Sequence, residues 1–131
     1  MRQPFRFPVR DYYEDTDAAG VVYYANYLKF MERARTEWLR SMGHSQSELA
    51  AQYGYVFAVA DAQVKYRKPA RLDDELRITV VPIPEGRVSI RFAQKIWRGD
   101  VLLTEGDIRV ACVDAKTFRP RPLPDFINVK P

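Results

Sequence analysis

A chain of 131 residues, 47% of them hydrophobic and 29% charged, is long enough to bury one substantial core and too short for two domains. That composition excludes a disordered chain, and no apolar run approaches the roughly 18 residues of a membrane span. The net charge of +4 suits nucleic acid and a phosphate-bearing substrate equally, so it selects neither.

The single cysteine, Cys112, excludes an internal disulfide and favours a reducing compartment. The N-terminal stretch MRQPFRFPVRDYY has scattered arginines and no apolar h-region, so a cytoplasmic protein without stable membrane insertion is expected. In residues 5–13, Phe5, Phe7 and Val9 alternate with Arg6 and Arg10 as in a half-buried strand, and Pro8 places that strand at a sheet edge. Residues 14–20 read as a loop with Gly20 at the bend. From about Val21 to Met42 the period becomes helical: Tyr27, Met31, Ala34 and Trp38 share a face, flanked by Leu28 and Leu39. Glu32, Arg33, Arg35, Glu37 and Arg40 surround it. Gly43 is placed to cap this helix, and a short second helix is predicted over Ser45–Tyr53, ended by Gly54.

Four strand-like runs follow. Tyr55–Tyr66 opens almost wholly apolar (YVFAVA), as expected where both faces are covered. Leu76–Ile83 points Leu76, Ile78 and Val80 inward; Arg87–Arg98 sets Val88, Ile90, Phe92 and Ile96 against Arg87, Ser89, Arg91 and Lys95. Glu85-Gly86 and Arg98-Gly99-Asp100 have the composition of hairpin turns. Val101–Asp114 is the last long strand, where Gly106 suggests a bulge, and the RPRPLP tail is extended. The pattern of one strand, one long helix and an antiparallel meander defines a single α+β domain in which the helix covers one sheet face. The other face, with Trp97 and many charges, is expected to meet another subunit in part.

Several chemistries lack their parts. His44 is the only histidine, and Gly43-His44-Ser45-Gln46-Ser47 lacks the central Ser and final Gly of a nucleophile elbow. One His and one Cys in distant segments do not make a zinc site. Asp15-x-Asp17 fails as a calcium loop, because Ala19 and Asn26 stand where ligands are required. Neither a metal nor a cofactor is implied. The remaining possibility for this acidic pair is a carboxylate beside the open N–H groups of a helix start, able to attack a carbonyl those groups polarise or to direct water at it. No Ser, Thr, Asp or Asn immediately precedes Val21 to cap the helix; an aspartate that folds forward to do so is the structural alternative.

The run Tyr13-Glu14-Asp15-Thr16-Asp17-Ala18-Ala19-Gly20-Val21-Val22-Tyr23, then Asn26-Tyr27 and Glu32-Arg33-Ala34-Arg35-Thr36-Glu37, resembles the 4-hydroxybenzoyl-CoA thioesterase family of hotdog-fold proteins. It is most similar to the Tol-Pal-associated, YbgC-type branch of acyl-CoA thioesterases. Tyr66–Asp74 and Val110–Asp114 extend the match over nearly the whole chain. The resemblance implies a long helix wrapped by a five-stranded antiparallel sheet. It also implies homo-oligomers, dimers or dimers of dimers, paired through the strand that starts near Tyr55. It carries the catalytic aspartate to Asp17 and the carbonyl-polarising backbone N–H to Tyr24, with substrate contacts at Gly20, Val21, Val22, Tyr23 and Asn26. Several members of the branch have histidine where this chain has Tyr24, so only the main-chain role carries over.

The expected reaction is hydrolysis of acyl-CoA to a carboxylic acid and CoA. Lys65, Arg67 and Lys68, with Arg71, are the cations placed to meet the CoA phosphates; Arg87, Arg91 and Arg98 are weaker candidates. Cys112 is expected to be a buried strand residue. Tyr24 and Tyr27 fit either an acyl pocket or a subunit interface. The main rival is a non-catalytic hotdog module that binds acyl-CoA or a protein. A dehydratase would need a histidine in the site, and the 17 acidic residues dilute the basic field a nucleic-acid binder requires, so no nucleic-acid partner is expected.

Overall fold

The computed structural model describes residues 5–16, 20–22 and 24–125, Tyr24 through its main chain alone. Asp17 and Tyr23, both singled out above, lie outside the described residues. Five strands form the sheet: β1 (Phe5–Arg10), β2 (Tyr55–Tyr66), β3 (Glu75–Glu85), β4 (Ser89–Arg98) and β5 (Val101–Asp114). They are antiparallel throughout, in the order β1-β3-β4-β5-β2. One long helix, α1 (Tyr24–Ser41), crosses one face, and a short α2 (Gln46–Glu48) continues as a wider π-type turn over Leu49–Tyr53. Pro8 does sit in an edge strand, β1, where its missing N–H breaks no ladder on the open side.

The helix starts three residues later than its periodicity predicts. Val21 forms an isolated bridge with Arg71, and the Val22 N–H donates to the Ala70 carbonyl at 2.8 Å. β-Branched valines give up little by staying extended, so tertiary pairing wins over helical propagation there. At the other end Gly43, with φ +87°, takes the left-handed cap and its N–H returns to the Arg40 carbonyl. Tyr27, Phe30, Met31, Ala34 and Trp38 form the buried stripe of α1, whereas Leu28 is 40% exposed. They meet the inward rows of the sheet: Leu76, Ile78 and Val80 of β3 with Ile90, Phe92 and Ile96 of β4, all buried.

Gly106 is not a bulge. It pairs in register with Val64 and Gln94, and the irregularities fall instead between Val59 and Asp61 and between Ile96 and Trp97. Its missing side chain is where α1 seats: a Cβ there would lie 2.6 Å from Met31 Sδ and 2.8 Å from Met31 Cε. Met31 is fully buried and cannot swing into solvent. Gly106→Ala is therefore expected to destabilise the fold by about 1–3 kcal/mol, read as a lower denaturant midpoint. An unchanged midpoint would contradict this seating.

Beside that contact, Gln94 supplies the one polar side chain of the inward row of β4. Its Nε2 donates to the Met31 carbonyl at 2.9 Å, and its Oε1 accepts from the Arg35 guanidinium at 2.9 Å. Both ends of the buried amide are thus partnered, as its burial requires.

Strand β2 differs from expectation in its surroundings. It is the second edge of the sheet, and its apolar opening is only half-covered within the protomer, with Val59 56% exposed. The extended tail is tied back: the Arg121 N–H donates to the Cys112 carbonyl and the Leu123 N–H to the Arg87 carbonyl. Cys112 is buried as expected, and burial pushes its thiol up to about 11, which keeps it protonated and unreactive near neutrality.

Candidate active site

The junction between β1 and α1 is closed by local bonds that its sequence supplies. Residues Tyr13–Asp15 make a 3-10 turn, and Asp15 Oδ2 accepts the Tyr12 N–H at 3.0 Å. The first acid of the Asp-x-Asp pair is thereby buried and committed to the turn. Thr16 bridges to Val22 across the loop, and Gly20, with φ +78°, takes a left-handed conformation that a side chain would strain. The Asn26 side-chain amide donates to the Asp15 carbonyl at 3.0 Å, fastening the loop to the first turn of α1.

At the helix start lies a cleft of about 250 Å³ lined by Val22, Tyr27, Tyr66, Arg67, Lys68 and Pro69. Tyr27 is its floor: the hydroxyl accepts the Ala70 N–H at 2.9 Å and the ring packs edge-on against Tyr66 at 5.3 Å. Burial raises the Tyr27 pKa above its ordinary value, the Ala70 bond opposing it, so the phenol stays neutral. Tyr24 opens α1, and no acidic side chain stands in the first helical turn.

The cations proposed for phosphates separate. Arg67 and Lys68 line the cleft, whereas Lys65 faces Glu105 across the β2–β5 pair and does not. Arg67 is already engaged by Glu105, with Nε at 2.6 Å and Nη2 at 2.5 Å. Arg71 lies next to Val21, and Arg98 is held by Asp74 Oδ2 at 3.0 Å. Of the loop residues, Val22 reaches the cleft; Gly20, Val21 and Asn26 shape the loop. His44 stands beyond the far end of α1, 3.7 Å from Glu48, away from the cleft.

Asp11 carries no signal in the local residue pattern. It sits at the end of β1 with its side chain wholly buried, and neither carboxyl oxygen has a hydrogen-bond partner among the described residues. Its main chain is tied to the loop before β3, its N–H donating to Asp74 and its carbonyl accepting from Asp73, both at 2.9 Å. Burial first, then the nearby Asp74 and Asp15 charges, push its pKa from 3.8 to about 7. A second, smaller cavity of about 110 Å³ lies along the C-terminal half of α1 between Arg35, Trp38, Phe57 and Val59. No group of His, Cys, Asp and Glu among the described residues is arranged to hold a metal ion. Nor is any described helix long and apolar enough to cross a membrane.

Comparison with known proteins bears on this junction directly. The profile of the thioesterase-like superfamily matches residues 13–130. The acyl-CoA thioester hydrolase YbgC of Escherichia coli O6:H1 is 48% identical over 124 residues, covering 94% of this chain and 92% of that protein. The acyl-CoA thioesterase YbgC of Haemophilus influenzae is 42% identical over 95% of this chain and 91% of its own length. The crystal structure of a probable thioesterase from Bartonella henselae superposes with a TM-score of 0.88 at 32% identity, covering 93% of this chain and all of that one. The wrapped helix is thus the hotdog architecture, and the acid loop, the α1 start and the cleft all fall inside the matched span. On fold and sequence together, the chain belongs to the thioesterase-like superfamily.

Proposed function

We propose that this thioester hydrolase acts on acyl-CoA, with Asp17 as the catalytic carboxylate and the Tyr24 N–H as the oxyanion donor. The observation that carries this reading is the cleft at the start of α1, with the acid loop fastened to its first turn and cations at its rim. The first N–H groups of a helix have no acceptor within it, and the positive end of the dipole adds to them. The Val22 N–H is spent on the Ala70 carbonyl, and the family resemblance assigns the donor to the thioester oxygen to the Tyr24 N–H. One such donor contributes roughly 3 kcal/mol to transition-state stabilisation.

The Asp17 carboxylate attacks the thioester carbon, forming a mixed anhydride and expelling CoA thiolate, and water then splits the anhydride. In the general-base variant the same carboxylate takes a proton from the attacking water. Thiolate leaves without a protonating imidazole, in keeping with the remoteness of His44. Val21, Gly20 and Asn26 position the loop, and Val22 contributes wall to the cleft. Lys68, with Arg67 shared between Glu105 and ligand, receives the CoA phosphates; Lys65 adds long-range attraction. A second copy completes the sheet by pairing at the open edge of β2, where Val59 and its neighbours lack cover. The reaction takes place in the cytoplasm, where CoA esters and a reduced Cys112 coexist.

Thiol release from a panel of CoA esters tests the activity; no turnover of any ester would refute it. Lys68→Glu is expected to raise KM for CoA esters about fivefold or more with kcat unchanged, since a phosphate contact binds ground and transition states alike. An unaltered KM would remove Lys68 from the site.

A further inference from the structure

Asp11 is placed where the two supports of the hydrolytic site meet. Its N–H donates to the Asp74 carbonyl and its own carbonyl accepts from the Asp73 N–H, which holds the loop before β3 against the end of β1. That loop carries Asp73 in a left-handed conformation, φ +68°, and is closed on itself by the Arg71 N–H donating to Asp74 Oδ2 at 2.8 Å. From the same loop the Ala70 carbonyl accepts the Val22 N–H, and the Ala70 N–H donates to the Tyr27 hydroxyl, which seats the start of α1. On the other side of Asp11, the adjoining Tyr12 N–H donates to Asp15 Oδ2, and the Asp15 carbonyl receives the Asn26 amide. One residue thus joins the acid loop to the segment that holds the cleft floor.

Its side chain lies between the two, fully buried, and neither oxygen has a hydrogen-bond partner among the described residues. The titratable groups facing it come from three elements: Asp15 from the 3-10 turn, Asp74 from the loop before β3, and from α1 the Tyr27 phenol, which feels the Asp11 charge. The nearby cations are committed elsewhere, Arg98 to Asp74 Oδ2 and Arg10 to the Asp73 carbonyl and Glu75. A neutral carboxyl is tolerated in such a place, but a carboxylate meets two like charges and no donor. Once ionised it is relieved by moving toward water, and either route out pulls on Tyr12 or on the 73–74 segment. We propose that Asp11 is a positioning residue for thioester hydrolysis. As the neutral acid it lets the acid loop and the 70–74 loop close against the start of α1; as the carboxylate it drives them apart and slows turnover. This deepens the reading of the cleft as the hydrolytic site and rests on it. Burial and the two acidic neighbours place the change at about pH 7, so the competent form prevails below that pH and is lost above it.

The test is a pH–rate profile on the full chain. With the best ester of the CoA panel, wild-type kcat is expected to fall about tenfold or more between roughly pH 7 and pH 9, with KM little changed. Asp11→Asn cannot ionise, so its profile, scaled to its own value at about pH 6, should lose that fall. Should the asparagine variant fold poorly, Asp11→Leu, which brings no polar group into the pocket, must lose it too. A merely structural Asp11 would lower the whole profile without moving its alkaline limb. Hydrogen exchange in the wild type, corrected for the intrinsic acceleration by base, supplies a readout independent of turnover. The Tyr12 and Arg71 amides should lose protection as pH rises through about 7, while amides in the middle of α1 keep theirs. Scaled profiles that coincide in wild type and variants, or exchange at Tyr12 and Arg71 that stays constant, would overturn the proposal and leave the hydrolytic reading standing. A wild type that turns over no ester at any pH would overturn the hydrolytic reading itself, and this proposal with it.

Discussion

Asp17→Asn is expected to lower kcat for acyl-CoA hydrolysis by roughly 10²–10⁴-fold, the usual worth of a positioned acid–base or nucleophilic carboxylate. The amide keeps the size and hydrogen-bonding reach of the acid but can neither attack the thioester carbon nor accept a proton from water. Asp15 does not offer a substitute. It is buried, and its Oδ2 is bonded to the Tyr12 N–H, so it belongs to the turn rather than to a ligand. Because the loss falls on a step reached only in the transition state, KM should change little. Single-turnover thiol release on the variant, with circular dichroism to show an unaltered fold, is the decisive measurement. Near-normal hydrolysis would sink the assignment of the catalytic carboxylate, whatever the fate of the Tyr24 N–H.

The second large effect concerns stability and belongs to Asp11. Its folded-state pKa, about 7, stands above the ordinary 3.8 because burial, Asp74 and Asp15 all oppose ionisation. The folded state therefore binds the proton more tightly than the unfolded chain. The associated stability is fully present below 3.8, is lost progressively as pH rises toward 7, and is gone above it. A shift of this size corresponds to about 4 kcal/mol at most. In urea unfolding, the wild type should lose about 3 kcal/mol from this group between roughly pH 5 and pH 8. Asp11→Asn should flatten that part of the profile, and should be the more stable protein at the alkaline end. Its own unpartnered amide would cost about 1–3 kcal/mol at every pH, lowering the variant at the acid end. Stability profiles that run parallel in the two proteins would show that Asp11 is not the titrating group.

Where periodicity carried the signal, the fold was legible. Leu76, Ile78 and Val80 face inward as their alternation requires, and the Tyr27–Met31–Ala34–Trp38 stripe is the buried face of α1. Glycine was ambiguous in the same sequence. Gly20 and Gly43 do take left-handed conformations at a bend and a cap, but Gly106 is an ordinary ladder residue that a methionine from α1 needs empty. A missing Cβ looks identical in sequence whether it frees the backbone or admits a neighbour. The apolar opening of β2 misled in a related way. Its composition reports that something covers both faces, without saying that the protomer alone does not supply the cover.

The candidate site divides along the same line. The order of residues by itself pointed to the acidic pair and settled the glycine bend, the helix that follows and the family, because these are local patterns with fixed spacing. Distance in the chain hid the rest. Ala70 meets Tyr27 and Val22, Glu105 claims Arg67, and Asp74 crowds Asp11. Each of these contacts is made by strand pairing or helix seating between segments far apart in sequence. Charge, burial and pKa depend on what those pairings bring within a few ångströms, and that is fixed only when the sheet closes around the helix.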